Sequence, residues 1–243
     1  MYNCMILGSG RSGTSLVAGI LNNGKYFMGT DLIPPSPANP KGFFESAFIN
    51  LDINEASLRR LNPDVERGHW WLTAVPTSSL ITSDVEIRRK IRKMTSRKYY
   101  CYKDPRFCYT LHLWNPYLIN TRFVCVFRHP HSTIKSMIKE KKTARYLRTL
   151  EFNNVTAETV WCSMYEWVLN IHSKKGEWLY VSYEYMLCKE GINRLSCFLD
   201  APVDRVFPDV KLNRSSARTP EAYTLSERTM NLYYELCNRA NIA

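Results

Sequence analysis

The segment Cys4-Met5-Ile6-Leu7-Gly8-Ser9-Gly10-Arg11-Ser12-Gly13-Thr14-Ser15 runs from four apolar residues into a burst of glycines and hydroxyls, and its reading decides the fold. The apolar run predicts a buried strand over residues 4–7, and residues 14–21 predict the helix that follows. Glycines between strand and helix permit a tight turn and close backbone approach to a ligand. Amide N–H groups then converge on an anion at the positive end of the helix. The spacing is that of GxxxxGK[ST], but Thr14 stands where lysine belongs and Arg11 is the loop's one cation. Triphosphate chemistry loses its main support without that lysine, so the loop suits a terminal phosphate or a pyrophosphate-like group. GSGRSG also fits the dinucleotide pattern GxGxxG, with Asp31 near the distance of a ribose-binding acid. Against that reading, Thr14 and Ser15 put hydroxyls where a phosphate would sit. An ordinary glycine turn is the remaining alternative.

Working outward, apolar runs predict strands at residues 99–102, 122–127 (RFVCVF, the clearest) and 178–181, with a short one at 26–28. Helical spacing predicts helices at 47–61, 84–93, 107–113, 132–140, 157–171 and 191–199. Pro34, Pro35, Pro37 and Pro40 make residues 31–42 a loop. Strand and helix alternate, which predicts an α/β fold: a three-layer sandwich around a central, mostly parallel sheet, of the P-loop NTPase-like kind. A length of 243 residues suits one domain spanning 1–243.

Lys and Arg number 33 against 22 Asp and Glu, a formal net charge of +11, which favours an anionic partner. Nine of these cations crowd residues 88–106 against a single acid. That stretch lacks a zinc module, an aromatic RNA platform or a recognition-helix pattern, so nucleic acid is not the expected partner. The eight cysteines form no CxxC pair and read as reduced, buried thiols. No apolar run approaches a membrane span and no signal peptide precedes the first loop, so the expected location is cytoplasmic unless a leader or anchor has been removed. The five histidines show no metal-ligand spacing, and no metal is expected.

A second anion site follows RFVCVF. Arg128 stands at the carboxyl edge of the predicted sheet, where ligands of such folds bind, and Ser136 lies about two turns into the next helix. An arginine fork and a helical hydroxyl can converge on a second phosphate. Pro130 starts that helix with its φ already set. Two phosphate sites, neither suited to a triphosphate, point to a ligand with phosphates at its two ends.

GSGRSGTS taken with FVCVFRHPHSTIKS resembles the two signature segments of the bacterial-type sulfotransferases that use 3′-phosphoadenosine 5′-phosphosulfate. NPKGFFES (39–46), YKDPRF (102–107) and YVSYEYML (180–187) resemble further stretches of that family. The resemblance implies sulfuryl transfer from that donor to a hydroxyl or amine, leaving 3′,5′-bisphosphoadenosine and requiring no metal. Arg11, Ser12, Gly13, Thr14 and Ser15 would grip the 5′-phosphosulfate; Arg128 and Ser136 would grip the 3′-phosphate. Arg11 stands where many members have lysine. KLNRSSAR (211–218) is the one candidate for the family's closing basic segment, through Arg214 or Arg218.

In-line transfer needs a cation at the departing phosphate, and Arg11 is the first choice, with Lys103 and Arg106 next. A general base is also expected. Glu45 follows the proline-rich loop, although it can equally serve the positive end of a helix. Asp104 is the runner-up, with an ion pair to Arg106 or Arg11 as its alternative role, and His69 is third. His129 and His131 are candidates to contact phosphate, whereas His112 and His172 read as structural. Phe43, Phe44, Trp70 and Trp71 are either acceptor-pocket walls or loop anchors, and Phe127, Trp161 and Trp167 either adenine slabs or core. Acceptor-binding loops are expected at 29–46 and 62–83, for a small molecule or a glycan. Competing readings are a degenerate P-loop kinase using ATP–Mg²⁺ and a basic nucleic-acid or polyanion-binding module. Oligomeric state has no signature in the chain.

Overall fold

A computed structural model of the chain describes residues 1–37, 39–209 and 223–242. Four parallel strands, β1 (Asn3–Leu7), β2 (Cys101–Lys103), β3 (Thr121–Phe127) and β4 (Glu177–Ser182), form one sheet in the order β2-β1-β3-β4. The register sets Cys4 beside both Cys101 and Arg122, and Cys125 beside Tyr180. Alternation along the strands splits the core. Met5, Leu7, Tyr102, Phe123, Cys125 and Phe127 belong to one hydrophobic cluster, and Cys4, Ile6, Cys101, Val124 and Val126 to the other. A sheet buried on both faces needs helices on both, and that is why β1 and β3 read as unbroken apolar runs.

Helices α1 (Thr14–Leu21) and α7 (Lys189–Leu199) cover the second cluster. The other face carries α2 (Ala56–Leu58), α3 (Val85–Thr95), α4 (Phe107–Trp114), α5 (Pro130–Thr143), α6 (Asn154–Glu166) and α8 (Glu227–Ala240). Asp84 caps α3 by accepting from Ile87 N, and Asn153 with Thr156 closes a capping box on α6.

Two expectations change. Residues 26–28 make a single bridge, Phe27 to Tyr100, instead of a strand, because Gly24 and Gly29 turn the chain with positive φ on either side. The helix expected over 47–61 is a π-helical stretch, Phe48–Glu55, ending in α2. The wider turns bury the polar residues Asn50, Asn54 and Glu55, which a straight amphipathic helix would expose. One element escaped the sequence reading: α8, capped by Ser226, buries Thr229, Leu236 and Ala240.

The strands end at Leu7, Lys103, Phe127 and Ser182. Residues just beyond them — Gly8, Asp104, Arg128 and Tyr183 — therefore share one rim. The strand order reverses between β1 and β3, where open α/β sheets bind ligands.

Candidate active site

The first loop is set by buried packing. Gly8 has φ +145° and lies so close to β3 that a Cβ would stand 2.1 Å from Val126 O. A Cβ on Gly10 would meet the Trp71 ring, and one on Gly13 the Tyr183 ring. Beneath the loop, the Tyr165 hydroxyl joins Val126 O (2.8 Å) and Ser12 Oγ (2.9 Å), and Ser9 N donates to it at 3.3 Å. Burial pushes the Tyr165 phenol well up, so it stays protonated. Gly13 caps α1 without a side-chain acceptor, and the first turn holds no acid. The opening N–H groups of α1 thus face the rim with nothing of their own helix to satisfy them.

The structure brings both expected anion sites together. Arg11, with φ +70°, donates from Nε to Ser136 Oγ at 3.1 Å, and its Nη1 lies 3.8 Å from Glu140 Oε2 on the next turn of α5. Arg128 pairs with Glu184 at 3.4 Å and stacks over the Tyr183 ring, 4.3 Å from its centroid. Tyr183 therefore supports Gly13 from one loop and Arg128 from the other.

A second constellation lies against the first loop. Lys103 Nζ, almost wholly buried, donates to Glu45 Oε1 and lies 3.2 Å from Ser15 Oγ. Asn50 Nδ2 donates to Glu45 Oε2 at 2.7 Å, and Ser15 Oγ donates to Phe43 O. Asn50 Oδ1 is buried and has no hydrogen-bond partner. A buried acceptor left in this state costs stability unless something donates to it.

Asp104 belongs to a deeper network. Its Oδ1 accepts from Arg106 N and Nη1 at 2.9 Å each, and its Oδ2 accepts from Asn54 Nδ2. Burial raises the Asp104 carboxyl, with Arg106 opposing that shift. Burial works against the Arg106 charge, but Asp104 and Glu55 outweigh it and raise the guanidinium further. Glu55 also accepts from Gly68 N, which ties residues 66–72 to the π-helical stretch.

The remaining expectations sort by burial. His69 Nε2 faces Tyr146 O at 2.7 Å, His112 Nε2 faces Ile81 O and His172 Nε2 faces Cys108 O. His172 is pushed down to about 3 by burial and by His112, so it is neutral near pH 7. Burial also lowers His129 and His131, which pack edge to face near the start of α5. Trp70, Phe127, Trp161 and Trp167 are core residues, and Trp71 is the lid over Gly10. Phe44 is buried against Phe207, while Phe43 is half-buried. All eight cysteines are free, five of them buried. Arg214 and Arg218 lie outside the described residues.

Sequence reasoning missed Tyr165, Asn50, Glu140 and Glu184. Only Glu140 left a trace: it stands four residues after Ser136, one helical turn, amid lysines.

An α/β sheet with two arginine-bearing loops at its strand-order reversal frames the candidate site. The chain matches the sulfotransferase family over residues 4–205, and it belongs to that family. It is an enzyme of the sulfotransferase class, moving a sulfuryl group to a hydroxyl or amine. Two solved structures share its fold. A sulfotransferase domain from the curacin biosynthetic pathway is 17% identical with a TM-score of 0.58, and 97% of each chain is covered. One from the Synechococcus PCC 7002 olefin synthase is 15% identical with a TM-score of 0.61, covering 97% of this chain and 94% of the other. No curated protein is significantly similar in sequence to the chain. Among the described residues no helix is long and apolar enough to cross a membrane, and no cluster of acidic, His or Cys side chains is arranged to hold a metal ion.

Proposed function

We propose that the donor is 3′-phosphoadenosine 5′-phosphosulfate, held across the rim between β1 and β3. The observation that carries this reading is the meeting of two cationic loops on adjacent strands, Arg11 reaching Ser136 at 3.1 Å. The donor set fits such a group: two arginines, several hydroxyls and an uncapped helix N-terminus suit an anion with phosphates at both ends. In this reading Arg11, Ser12, Gly13, Thr14 and Ser15 hold the 5′-phosphosulfate, and Arg128 and Ser136 hold the 3′-phosphate. Arg214 and Arg218 are proposed as further donor contacts. The bound donor supplies an activated sulfuryl group; the chain supplies position and charge.

Glu45 is the proposed general base and Lys103 its partner. Lys103 lies between Glu45 and Ser15, so one ammonium serves both the carboxylate and the phosphate loop. With Arg11 it offsets charge on the departing phosphate. The unpaired Asn50 Oδ1 beside Glu45 suits an acceptor hydroxyl or amine, which brings a hydrogen to donate. Asp104 acts one step back, fixing Arg106 and Asn54 beside the end of the strand that carries Lys103.

We read residues 1–243 as a single domain, a three-layer sandwich of P-loop NTPase type in its strand–loop–helix order, without the Walker lysine. Loops 29–46 and 62–83 are the proposed acceptor elements. The first carries Glu45, and the second helps to line a cavity of about 440 Å³ among Val65, His69, Leu72, Phe152 and Val160. That cavity shares no lining residue with the anion loops.

Calorimetric titration with 3′,5′-bisphosphoadenosine and with ATP–Mg²⁺, on the wild type and on Arg128→Ala, tests the donor. The expected result is tight bisphosphate binding weakened about a hundredfold by the substitution, the loss of a charge-assisted phosphate contact. Preference for ATP–Mg²⁺ with an unaffected mutant would replace this reading with that of a kinase.

A further inference from the structure

Glu140 is the only acid between Arg128 and Glu151, and Lys135, Lys139, Lys141 and Lys142 lie within five residues of it. Near such neighbours a carboxylate is expected to form local pairs at helical spacing. Among the described residues the ion pair it makes is instead to Arg11, 129 positions away in the chain, at 3.8 Å. Its side chain is 12% exposed, so the pair is partly shielded from solvent. Ser136 and Glu140 are one turn apart on the same face of α5, and together they hold one guanidinium.

Arg11 itself has little freedom upstream of its side chain. Its backbone is in the left-handed region, and the flanking Ser9 and Ser12 are tied to Tyr165. The loop therefore presents the arginine toward α5, and α5 answers with one hydroxyl and one carboxylate. Burial raises the Tyr146 phenol, and the nearby Glu140 carboxylate adds to that rise.

Resting on the donor reading above, we propose that Glu140 is the resident counter-anion of the first loop. It occupies Arg11 while the site lacks donor and yields it to the 5′-phosphate when donor binds. Donor affinity is then set by an exchange of anions on Arg11, and the same carboxylate recaptures the arginine as the bisphosphate product leaves. Glu140 is a positioning residue in this scheme: it acts through Arg11 and touches no reacting atom.

A double-mutant cycle on the full chain tests this, with 3′,5′-bisphosphoadenosine and adenosine 3′-monophosphate as calorimetric probes. Removal of the competing charge in Glu140→Gln is expected to tighten bisphosphate binding about three- to tenfold. The same substitution in an Arg11→Ala background is expected to change it less than about twofold. Affinity for the 3′-monophosphate, which lacks the 5′ group, is expected to stay constant. An equal gain with or without Arg11 would reduce Glu140 to a general field effect, and weaker binding in Glu140→Gln would make it a structural support; either overturns the proposal. Glu140→Asp, which keeps the charge on a shorter arm, is expected to lie between wild type and Glu140→Gln, and separates charge from packing. If the wild type binds no bisphosphate, the donor reading falls and takes this one with it. Binding without coupling sinks only Glu140.

Discussion

The loops after β1 and β3 each present an arginine at the same rim, yet they are secured by different physics. The first is bolted from beneath by buried groups: Val126 O over Gly8, the Trp71 ring over Gly10, and the Tyr165 hydroxyl under Ser9 and Ser12. At the second loop Arg128 rests on Glu184, whose side chain is 52% exposed, and on a tyrosine face. Exposed pairs of that kind contribute about 0–1 kcal/mol, whereas a packed loop is coupled to the stability of the whole domain. One site is preorganised at the expense of tolerance, and the other is adjustable and cheap to alter.

Substitutions that separate folding from binding sharpen this contrast. Gly8→Ala should have the largest effect, because a Cβ 2.1 Å from a backbone oxygen forces strand β3 away, and φ +145° is strained for any L residue. A loss of roughly 3 kcal/mol or more is expected, read as an early urea midpoint. A near-normal midpoint would mean that the first loop is not coupled to the sheet.

Tyr165→Phe comes next. It removes the hydroxyl shared by Val126 O and Ser12 Oγ and leaves buried partners unsatisfied, at about 1–3 kcal/mol. Both the urea midpoint and bisphosphate affinity are expected to fall. A fall in stability alone would show that the loop keeps its anion-binding form without its bolt.

Glu184→Gln should be the smallest change. It frees Arg128 from a half-exposed pair, so bisphosphate affinity should rise by no more than about threefold and the midpoint should hold within about 0.5 kcal/mol. A large gain would put the second site in the same exchange regime as Arg11, and a large loss of stability would erase the contrast between the loops.

Legibility in the sequence follows the range of each interaction. The strands and the glycine loop were readable because local patterns specify them: apolar runs, small residues and the switch from period 2 to 3.6. Asp84 and Pro130 marked helix starts through contacts with their immediate neighbours. The stretch 47–61 misled because its apolar spacing is helical while Asn54 and Glu55 find buried partners far away in the chain, Asp104 and Arg106, and the helix widens to reach them. Helix α8 went unread because only Thr229, Leu236 and Ala240 are fully buried, too sparse a stripe for periodicity to mark.

Candidate donor residues could be placed by spacing from a strand end, since Arg128 and Ser136 need only a rim and two helical turns. Their surroundings could not. Tyr165 reaches Ser12 across 153 positions and Lys103 reaches Glu45 across 58. Such pairs carry no local period, because the chain must close the sheet before they become neighbours. By itself, then, the sequence determined where strands, turns and cationic loops would form, since backbone sterics and apolar periodicity act over a few residues. Only the tertiary structure decided which carboxylate answers each cation, because partners for buried charge are chosen by proximity in space and by the cost of leaving them unpaired.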